Sequence, residues 1–212
     1  IVYNPERLNI KVKNVSVDSC TFKGNISLYR QYGDITINTA NTDYGIDLLK
    51  FYNNKVFNTG LSFIVLVDIP VIRCEVNNNI IKNFNYTFIN IAITNGIPYE
   101  QELYDQIKYL EVRENIVTCE DYWWGKTLSG SYYVFVLYEG TEVIYDGNYI
   151  EGMKSLEDIA LYDAYLSAEI VNYTNNTWKN NICFAEDKTN NTLLKSKGGG
   201  KKPLIRNYSN NT

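Results

Sequence analysis

Histidine is absent from the 212-residue sequence, and only four cysteines are present. Without histidine, the chain cannot itself supply a Ser-His-Asp or Cys-His catalytic group, a histidine general base or a histidine-ligated zinc. No two of the cysteines form a Cys-x-x-Cys pair, which argues against an all-cysteine zinc site and against a disulfide-dense secreted mini-domain. We predict neither a resident metal nor a cofactor.

A strong net charge and a long apolar run are also missing. Lys and Arg total 20 against 24 Asp and Glu, a net charge of −4, whereas nucleic-acid-binding proteins usually carry a basic surplus. No apolar run approaches the roughly 18 residues of a membrane-spanning helix, so we predict no membrane insertion. The hydrophobic fraction of 45% still suffices for a sizeable core. Because the chain begins at Ile1, without Met, we expect it to be a trimmed piece of something longer.

Asparagine and tyrosine are abundant, while proline is scarce. The sequence contains 28 Asn and 19 Tyr beside four Pro. Asn is typical of turns, and Tyr, Ile, Val, Phe and Thr are typical of strands. This composition predicts an all-β protein with many Asn-containing turns.

A short pattern recurs six times along the chain. The pattern has eight positions: apolar, variable, apolar, variable, two turn residues, variable and apolar. It occurs at residues 15–22, 49–56, 74–81, 110–117, 143–150 and 171–178. The first apolar column reads Val15, Leu49, Cys74, Leu110, Val143 and Val171, and the second reads Val17, Phe51, Val76, Val112, Tyr145 and Tyr173. The last apolar column reads Phe22, Val56, Ile81, Val117, Ile150 and Trp178. The second turn position reads Cys20, Asn54, Asn79, Asn115, Asn148 and Asn176.

Units this short cannot bury an apolar face alone, so the repeat predicts a solenoid. Stacked in register about 4.8 Å apart, the three columns form continuous inward stacks. We expect the recurring Asn to take a left-handed backbone conformation at the bend and to hydrogen-bond to the next Asn along the axis. An Asn-rich β-sandwich with accidental repeats is the alternative.

This Asn ladder after an apolar-x-apolar strand resembles the right-handed parallel β-helix of pectate-lyase-like proteins and phage tailspikes. The resemblance covers roughly residues 9 to 184. It predicts a β-helix domain over residues 1–194, with irregular loop insertions, followed by a Gly- and Lys-rich linker and tail over residues 195–212. We interpret residues 99–109 and 154–166 as helical or loop insertions that project from the solenoid.

A charged strip lies on the outward positions of the repeat. The predicted register places Glu75 and Glu111 on adjacent rungs about 5 Å apart, with Asp146 one rung further and Arg113 beside them. Two carboxylates this close disfavour joint ionisation, so one pKa should rise, and the spacing suits a retaining glycosidase. We therefore predict Glu75, Glu111 and Asp146 as catalytic candidates. Ordinary solvated strand residues are the alternative.

Aromatic residues supply a second candidate site. Trp123 and Trp124 are adjacent, so both cannot point into the lumen of an extended strand. An exposed Trp or Tyr offers a flat apolar face to a sugar ring. We predict that Tyr52, Arg113, Trp123 and Trp124 bind a glycan. The alternative is that these aromatic side chains pack long loops onto the solenoid.

Three functions remain open at this stage. The first is a carbohydrate-recognising β-helix of a phage tailspike or cell-surface adhesin, located on a virion or cell surface outside the cell. The second is a polysaccharide depolymerase, a hydrolase or lyase, and the third is a purely structural component of a larger assembly. The chain lacks the Asp-Asp, Gly-His and Arg-x-Lys elements of polygalacturonases, so pectin cleavage is not expected. The resemblance also implies that a homotrimer or larger assembly can form.

Overall fold

The computed structural model describes residues 2–3, 9, 11–23, 35–38, 45–59, 62–67, 71–84, 87–92, 107–119, 131–137, 140–152, 154–155, 158–164, 168–183, 191–196 and 205–212. Every secondary-structure element in these ranges is a β-strand, and the strands pair in parallel. The chain is an all-β parallel β-helix, as the repeat predicts. Within the described ranges, no helix has the length and hydropathy required to cross a bilayer.

Each of the first six coils of the solenoid places one strand in each of three sheets, which we call the first, second and third sheet, and in the described residues the seventh coil adds a strand to the first and second sheets. The first four coils comprise β1 (Val2–Tyr3), β2 (Asn14–Asp18), β3 (Thr21–Lys23), β4 (Ile35–Asn38), β5 (Ile46–Tyr52), β6 (Lys55–Thr59), β7 (Ser62–Val67), β8 (Val71–Asn77), β9 (Ile80–Phe84), β10 (Thr87–Ala92), β11 (Ile107–Arg113) and β12 (Ile116–Thr118). The remaining strands are β13 (Ser131–Leu137), β14 (Gly140–Asp146), β15 (Tyr149–Glu151), β16 (Lys154–Ser155), β17 (Asp158–Ala164), β18 (Ala168–Thr174), β19 (Thr177–Lys179), β20 (Ile182–Cys183), β21 (Asn191–Ser196) and β22 (Ile205–Ser209).

The three sheets run along the axis of the solenoid. The first sheet has the order β1-β4-β7-β10-β13-β17-β21, the second β2-β5-β8-β11-β14-β18-β22, and the third β3-β6-β9-β12-β15-β19. Strands β16 and β20 form a separate short pair. Because neighbours in each sheet come from successive coils, register partners in a vertical column are 25 to 46 positions apart in the chain, as Leu49 is from Cys74 and Thr87 from Tyr133.

The core is built from the three predicted apolar columns, and their register is confirmed. In the second sheet, Leu49 pairs with Cys74 and Phe51 with Val76, and in the third sheet Val56 pairs with Ile81. All of these side chains are buried. Side chains in a strand alternate between its two faces, so the column residues of the second and third sheets enter the lumen while the residues between them face outward.

The predicted asparagine ladder is also confirmed. It comprises Asn54, Asn79, Asn115, Asn148, Asn176 and Asn211. Each side-chain amide donates one N–H to Oδ1 of the next asparagine at 2.9–3.0 Å. Its other N–H donates to a backbone carbonyl of the preceding coil at 2.8–3.0 Å. Each Oδ1 also accepts the backbone N–H of the preceding ladder position, so an internal ladder amide has its two donors and both acceptor sites filled.

The left-handed residue of this turn is not the ladder asparagine, so that prediction is wrong. Positive φ values between 53° and 64° fall one position earlier, at Ser19, Asn53, Asn78, Glu114, Gly147, Asn175 and Asn210. The chain reverses direction at this first turn residue, which leaves the second turn residue free to aim its amide along the axis. Asn and Gly dominate the first position because both tolerate left-handed φ.

Two glycines with positive φ differ in the space available for a Cβ atom, so their alanine variants can be compared. An added Cβ at Gly152 (φ 77°) would lie 2.7 Å from the carbonyl oxygen of Cys119, whereas one at Gly147 (φ 64°) would make ordinary contacts with Glu114, at 3.5 Å from Cγ and 3.9 Å from the backbone N. We expect Gly147→Ala to lower the free energy of unfolding by about 1 kcal/mol, the cost of left-handed φ. Gly152→Ala adds a backbone clash and should cost about 3 kcal/mol. Urea denaturation followed by circular dichroism measures both, and equal losses would contradict the clash.

Two segments that are predicted to lie outside the solenoid form strands of its sheets. Residues 158–164, part of a predicted insertion, form β17 and pair with β13 and β21 in the first sheet. Their apolar spacing resembles a helix locally, but the neighbouring strands offer a complete hydrogen-bonding edge on each side. Residues 205–209, part of the predicted tail, form β22 and add a seventh rung to the second sheet. Of the other predicted insertion, residues 107–109 belong to β11, and residues 99–106 lie outside the described ranges.

Candidate functional site

The outward residues of the second sheet form a polar surface across four successive rungs, β5, β8, β11 and β14. We call this set the outer-face cluster, and it comprises Lys50, Tyr52, Arg73, Glu75, Asn77, Tyr109, Glu111, Arg113 and Asp146. Its register follows directly from the strand pairing, since Glu75 is the partner of Glu111 and Arg113 is the partner of Asp146. The prediction that the two glutamates lie on adjacent rungs is therefore confirmed.

Arg73 connects the two glutamates, and it is not among the site residues predicted from the repeat. Its Nε donates to Glu75 Oε1 and its Nη2 donates to Glu111 Oε2 at 3.1 Å. The guanidinium also lies over the ring of Tyr109, with Cζ 4.2 Å from the ring centroid. A signal for Arg73 exists in the sequence, because the alternation of outward residues in β8 extends backward from Asn77 through Glu75 to Arg73.

Glu75 is held by three different partners and is buried, with 7% of its surface exposed. Besides the bond from Arg73, it accepts a hydrogen bond from the Tyr52 hydroxyl at Oε2, and Lys50 Nζ lies 3.6 Å from the same oxygen. Burial by itself raises the pKa of Glu75, but the hydrogen bonds from Tyr52 and Arg73 and the charges of Arg73 and Lys50 outweigh burial and lower that pKa.

Both tyrosines of the cluster are held in the protonated form. Burial raises the pKa of Tyr52 to about 12, and its hydrogen bond to Glu75 adds to the effect. Burial also raises the pKa of Tyr109, together with the charge of Glu111 and the hydrogen bond that Tyr109 donates to it at 3.1 Å. The two phenols therefore act as hydrogen-bond donors rather than as bases.

Glu111 is the centre of the cluster. Its Oε1 accepts a hydrogen bond from Asn77 Nδ2 at 3.2 Å, and its Oε2 accepts from Arg73 and Tyr109. Arg113 Nε lies 3.0 Å from Oε1, close enough for charge pairing although its N–H is not aligned as a hydrogen bond. These contacts fix the carboxylate orientation and leave it 13% exposed.

Asp146 closes the cluster at its far end. Its Oδ2 accepts a hydrogen bond from Arg113 Nη1 at 2.9 Å, while its Oδ1 accepts from Thr174 Oγ1 at 2.6 Å and Asn175 Nδ2 at 2.8 Å. Burial raises the pKa of Asp146, but the hydrogen bonds from Thr174 and Asn175 and the charge of Arg113 together lower it. Asp146 is therefore ionised at neutral pH.

The direction of the pKa of Glu75 contradicts the argument from carboxylate proximity. Two adjacent carboxylates alone would raise one pKa, yet the pKa of Glu75 falls because the hydrogen bonds from Tyr52 and Arg73 and the charges of Arg73 and Lys50 outweigh burial. A general acid in glycoside hydrolysis needs a raised pKa, which Glu75 does not have. The catalytic roles of Glu75, Glu111 and Asp146 stay predictions.

The remaining predicted site residues divide into two groups. Tyr52 and Arg113 both lie in the outer-face cluster, as predicted from the repeat. Trp123 and Trp124 lie outside the described residues. Among the residues that the structure describes, no group of three or more Cys, Asp or Glu side chains is arranged to hold a metal ion.

Comparisons with known proteins add no further assignment. No protein-family model matches the chain, and no curated protein or solved structure matches it either. The functional inference therefore depends on the chemistry and geometry of the outer-face cluster.

The lowered carboxylate pKa values predict a loss of stability in acid. A group whose pKa is lower in the folded state stabilises the fold above its unfolded pKa, and this stabilisation disappears as the pH falls through the folded value. For Glu75 and Asp146 the contribution is complete above their ordinary values of 4.5 and 3.8 and is lost below them. We expect the urea midpoint to fall between about pH 6 and about pH 2. In the double variant Glu75→Gln, Asp146→Asn the urea midpoint should fall less over this pH range. If the double variant and the wild type have the same pH profile, these two carboxylates do not cause the loss of stability.

Proposed function

We propose that this protein is a carbohydrate-recognising β-helix and that an extended glycan binds along the outer face of the second sheet. The observation that carries the proposal is the outer-face cluster itself, in which four successive rungs each present polar groups at the same height on the sheet. Rungs repeat about every 4.8 Å, close to the length of one pyranose unit in an extended chain. Successive sugars of a bound glycan would therefore each meet the polar groups of one rung.

The chemistry of the cluster suits sugar recognition. Sugar hydroxyls both donate and accept hydrogen bonds, and the cluster offers carboxylates, guanidinium groups, an amide and phenols. Tyr52 and Tyr109 add flat ring faces of the kind that pack against pyranose rings. The side chains are already held by each other, as in the pairing of Arg73 with Glu75 and Glu111. A site ordered in this way loses little side-chain entropy when a ligand binds.

A polysaccharide depolymerase is the second candidate, favoured by the adjacent glutamates. In a retaining hydrolase one carboxylate is the nucleophile and must be ionised, while the other protonates the leaving group. The lowered pKa of Glu75 suits the nucleophile, and Glu111 is the second carboxylate of the pair. Asp146, paired with Arg113, would then help to position the substrate.

The resemblance to tailspikes supports a setting for the binding function. A rigid solenoid that presents a glycan-binding face is suited to a phage tailspike or a cell-surface adhesin. We therefore place the protein outside the cell, on a virion or cell surface, in a homotrimer or a larger assembly. The same fold without a ligand would be a structural component, and the binding measurement below separates the two.

A glycan array with matched tyrosine variants tests the binding function. Tyr52→Ala removes a tyrosine of the outer-face cluster, whereas Tyr149→Ala removes one from the third sheet. We expect the wild type to bind specific glycans, Tyr52→Ala to bind at least about tenfold more weakly, and Tyr149→Ala to bind as the wild type does. Equal loss in both variants, or no binding by the wild type, would contradict the proposal. Trp123→Ala and Trp124→Ala on the same array test the two residues predicted from sequence.

A product assay separates binding from cleavage. The glycans that bind are incubated with the protein, and reducing ends and unsaturated products are measured. A depolymerase should release them and should lose about 100-fold or more of its rate in Glu75→Gln and in Glu111→Gln. Binding without products supports recognition alone, and an activity unchanged in both variants rules out this pair of carboxylates.

A further inference from the structure

We infer that the outer-face cluster selects uncharged glycans over acidic ones. This inference rests on the proposed function and specifies its ligand class. It concerns the charges of the cluster, which determine whether a uronate or a sulfate group would find a cation to bind.

The cations of the cluster already have carboxylate partners. Lys50 Nζ lies 3.6 Å from Glu75 Oε2, and Arg113 Nη1 lies 2.9 Å from Asp146 Oδ2. Arg73 contacts Glu75 and Glu111 at once. An acidic sugar would compete for these cations with carboxylates that are largely buried, and leaving such a carboxylate without its cation is costly.

The charge balance of the surface also disfavours anions. The three cations of the cluster are matched by Glu75, Glu111 and Asp146. Two further carboxylates lie on the same face, because Asp18 is the register partner of Tyr52 and Glu142 is the register partner of Tyr109. Among these side chains three cations face five carboxylates, and this excess of negative charge disfavours a polyanionic chain.

Neutral sugars face no such obstacle. Each guanidinium carries five N–H donors, of which Arg73 uses two on its glutamates, and the Arg73 side chain is 42% exposed. Arg113 donates to Asp146 and is 37% exposed. The remaining N–H groups can donate to hydroxyl or ring oxygens of a sugar while the positive charge stays neutralised within the protein. The cluster thus supplies donors without a net positive charge.

Backbone-matched polymers test this selectivity with the intact chain. The probes are β-1,4-mannan oligosaccharides against β-1,4-mannuronate oligosaccharides and dextran against dextran sulfate, together with a broad array of neutral and acidic glycans. We expect the bound glycans to be neutral, with acidic counterparts at least about tenfold weaker, and we expect affinities that change little between about 50 and 500 mM salt.

A variant that releases a cation should relax the selectivity. Glu111→Gln removes the carboxylate shared by Arg73 and Arg113, so the ratio of acidic to neutral binding should rise about tenfold. Glu142 forms an ion pair with no cation among the described residues, so Glu142→Gln removes the same charge without releasing one of the cluster's cations, and its ratio should change less than about threefold. Equal ratios in the two variants would attribute the effect to net charge rather than to cation release and would overturn the mechanism.

The outcomes separate this inference from the proposed function. Salt-sensitive preference for acidic glycans would overturn the selectivity and leave the glycan-binding face intact, provided that Tyr52→Ala weakens that binding. Absence of binding to any glycan would overturn both. Neutral binding that is lost in Tyr52→Ala, with acidic counterparts at least tenfold weaker, supports both.

Discussion

Asn115→Ala is expected to lower the free energy of unfolding by about 4 kcal/mol, because it removes the central member of the asparagine ladder. Asn115 is fully buried. Its side chain accepts from the backbone N and the Nδ2 of Asn79 at 3.0 and 2.9 Å, and it donates to Val76 O at 2.8 Å and Asn148 Oδ1 at 2.9 Å. Alanine removes all four bonds and offers no replacement partner to the buried groups of Asn79 and Val76.

An exposed asparagine on the same solenoid gives the control. Asn207 lies on the outer face of the second sheet, and its Nδ2 donates to Asn172 Oδ1 at 2.7 Å. Asn207→Ala should change the free energy of unfolding by less than about 0.5 kcal/mol, as most surface substitutions do. Urea denaturation followed by circular dichroism measures both variants. A loss for Asn115→Ala no larger than that for Asn207→Ala would show that the ladder adds little to stability.

Phe51→Ala should cost between about 3 and 5 kcal/mol, since it opens a cavity in the apolar column of the second sheet. Phe51 is fully buried, and its register neighbours in that column are Val17 and Val76. Those side chains are held by their own strands, so they can collapse only partly into the space that the ring vacates.

Phe57→Ala is the matched control, because Phe57 lies on the outward side of β6 and is only partly buried. We expect it to cost less than about 1.5 kcal/mol. Thermal and urea unfolding of the two variants provide the comparison. A loss for Phe51→Ala below that for Phe57→Ala would contradict the placement of this column in the core.

The sequence is sufficient to predict the core of this fold. The alternation of apolar and variable residues has a period of two, and a recurrent Asn marks the same turn in five of six units. Those two signals together determine the register of the second and third sheets, as in the pairing of Leu49 with Cys74 and Val56 with Ile81. The pattern within each short segment predicts the stacked structure because each rung buries its apolar residues in the same columns.

The missed parts of the fold lack that signal for physical reasons. The seventh rung carries Arg206 where its register partner is Val171, so the first apolar column is broken there. The strand Asp158–Ala164 has an Asp at position 163, between apolar neighbours, and it becomes a strand because β13 and β21 pair with it on both sides. Pairing with neighbours is a property of the stack, which no single segment reveals.

The site was predictable in position but not in electrostatics. Counting outward positions places Glu75 beside Glu111 and Arg113 beside Asp146, and both placements hold. The direction of the pKa of Glu75 could not be predicted, because it depends on where the Tyr52 hydroxyl and the long side chain of Arg73 end. Strand pairing determines which Cα atoms are neighbours. The pKa of a carboxyl group depends in addition on the side-chain conformations of its neighbours, which strand pairing does not determine.

The asparagine ladder makes the solenoid electrically polar along its axis. Each side-chain carbonyl accepts from the asparagine on its N-terminal side and each amide donates toward its C-terminal side, as Asn79 does between Asn54 and Asn115. The amide dipoles therefore point the same way and polarise one another, so that every added member strengthens those already present. The two ends of the molecule consequently carry partial charges of opposite sign, and two copies approaching with identical ends would repel each other at the ladder.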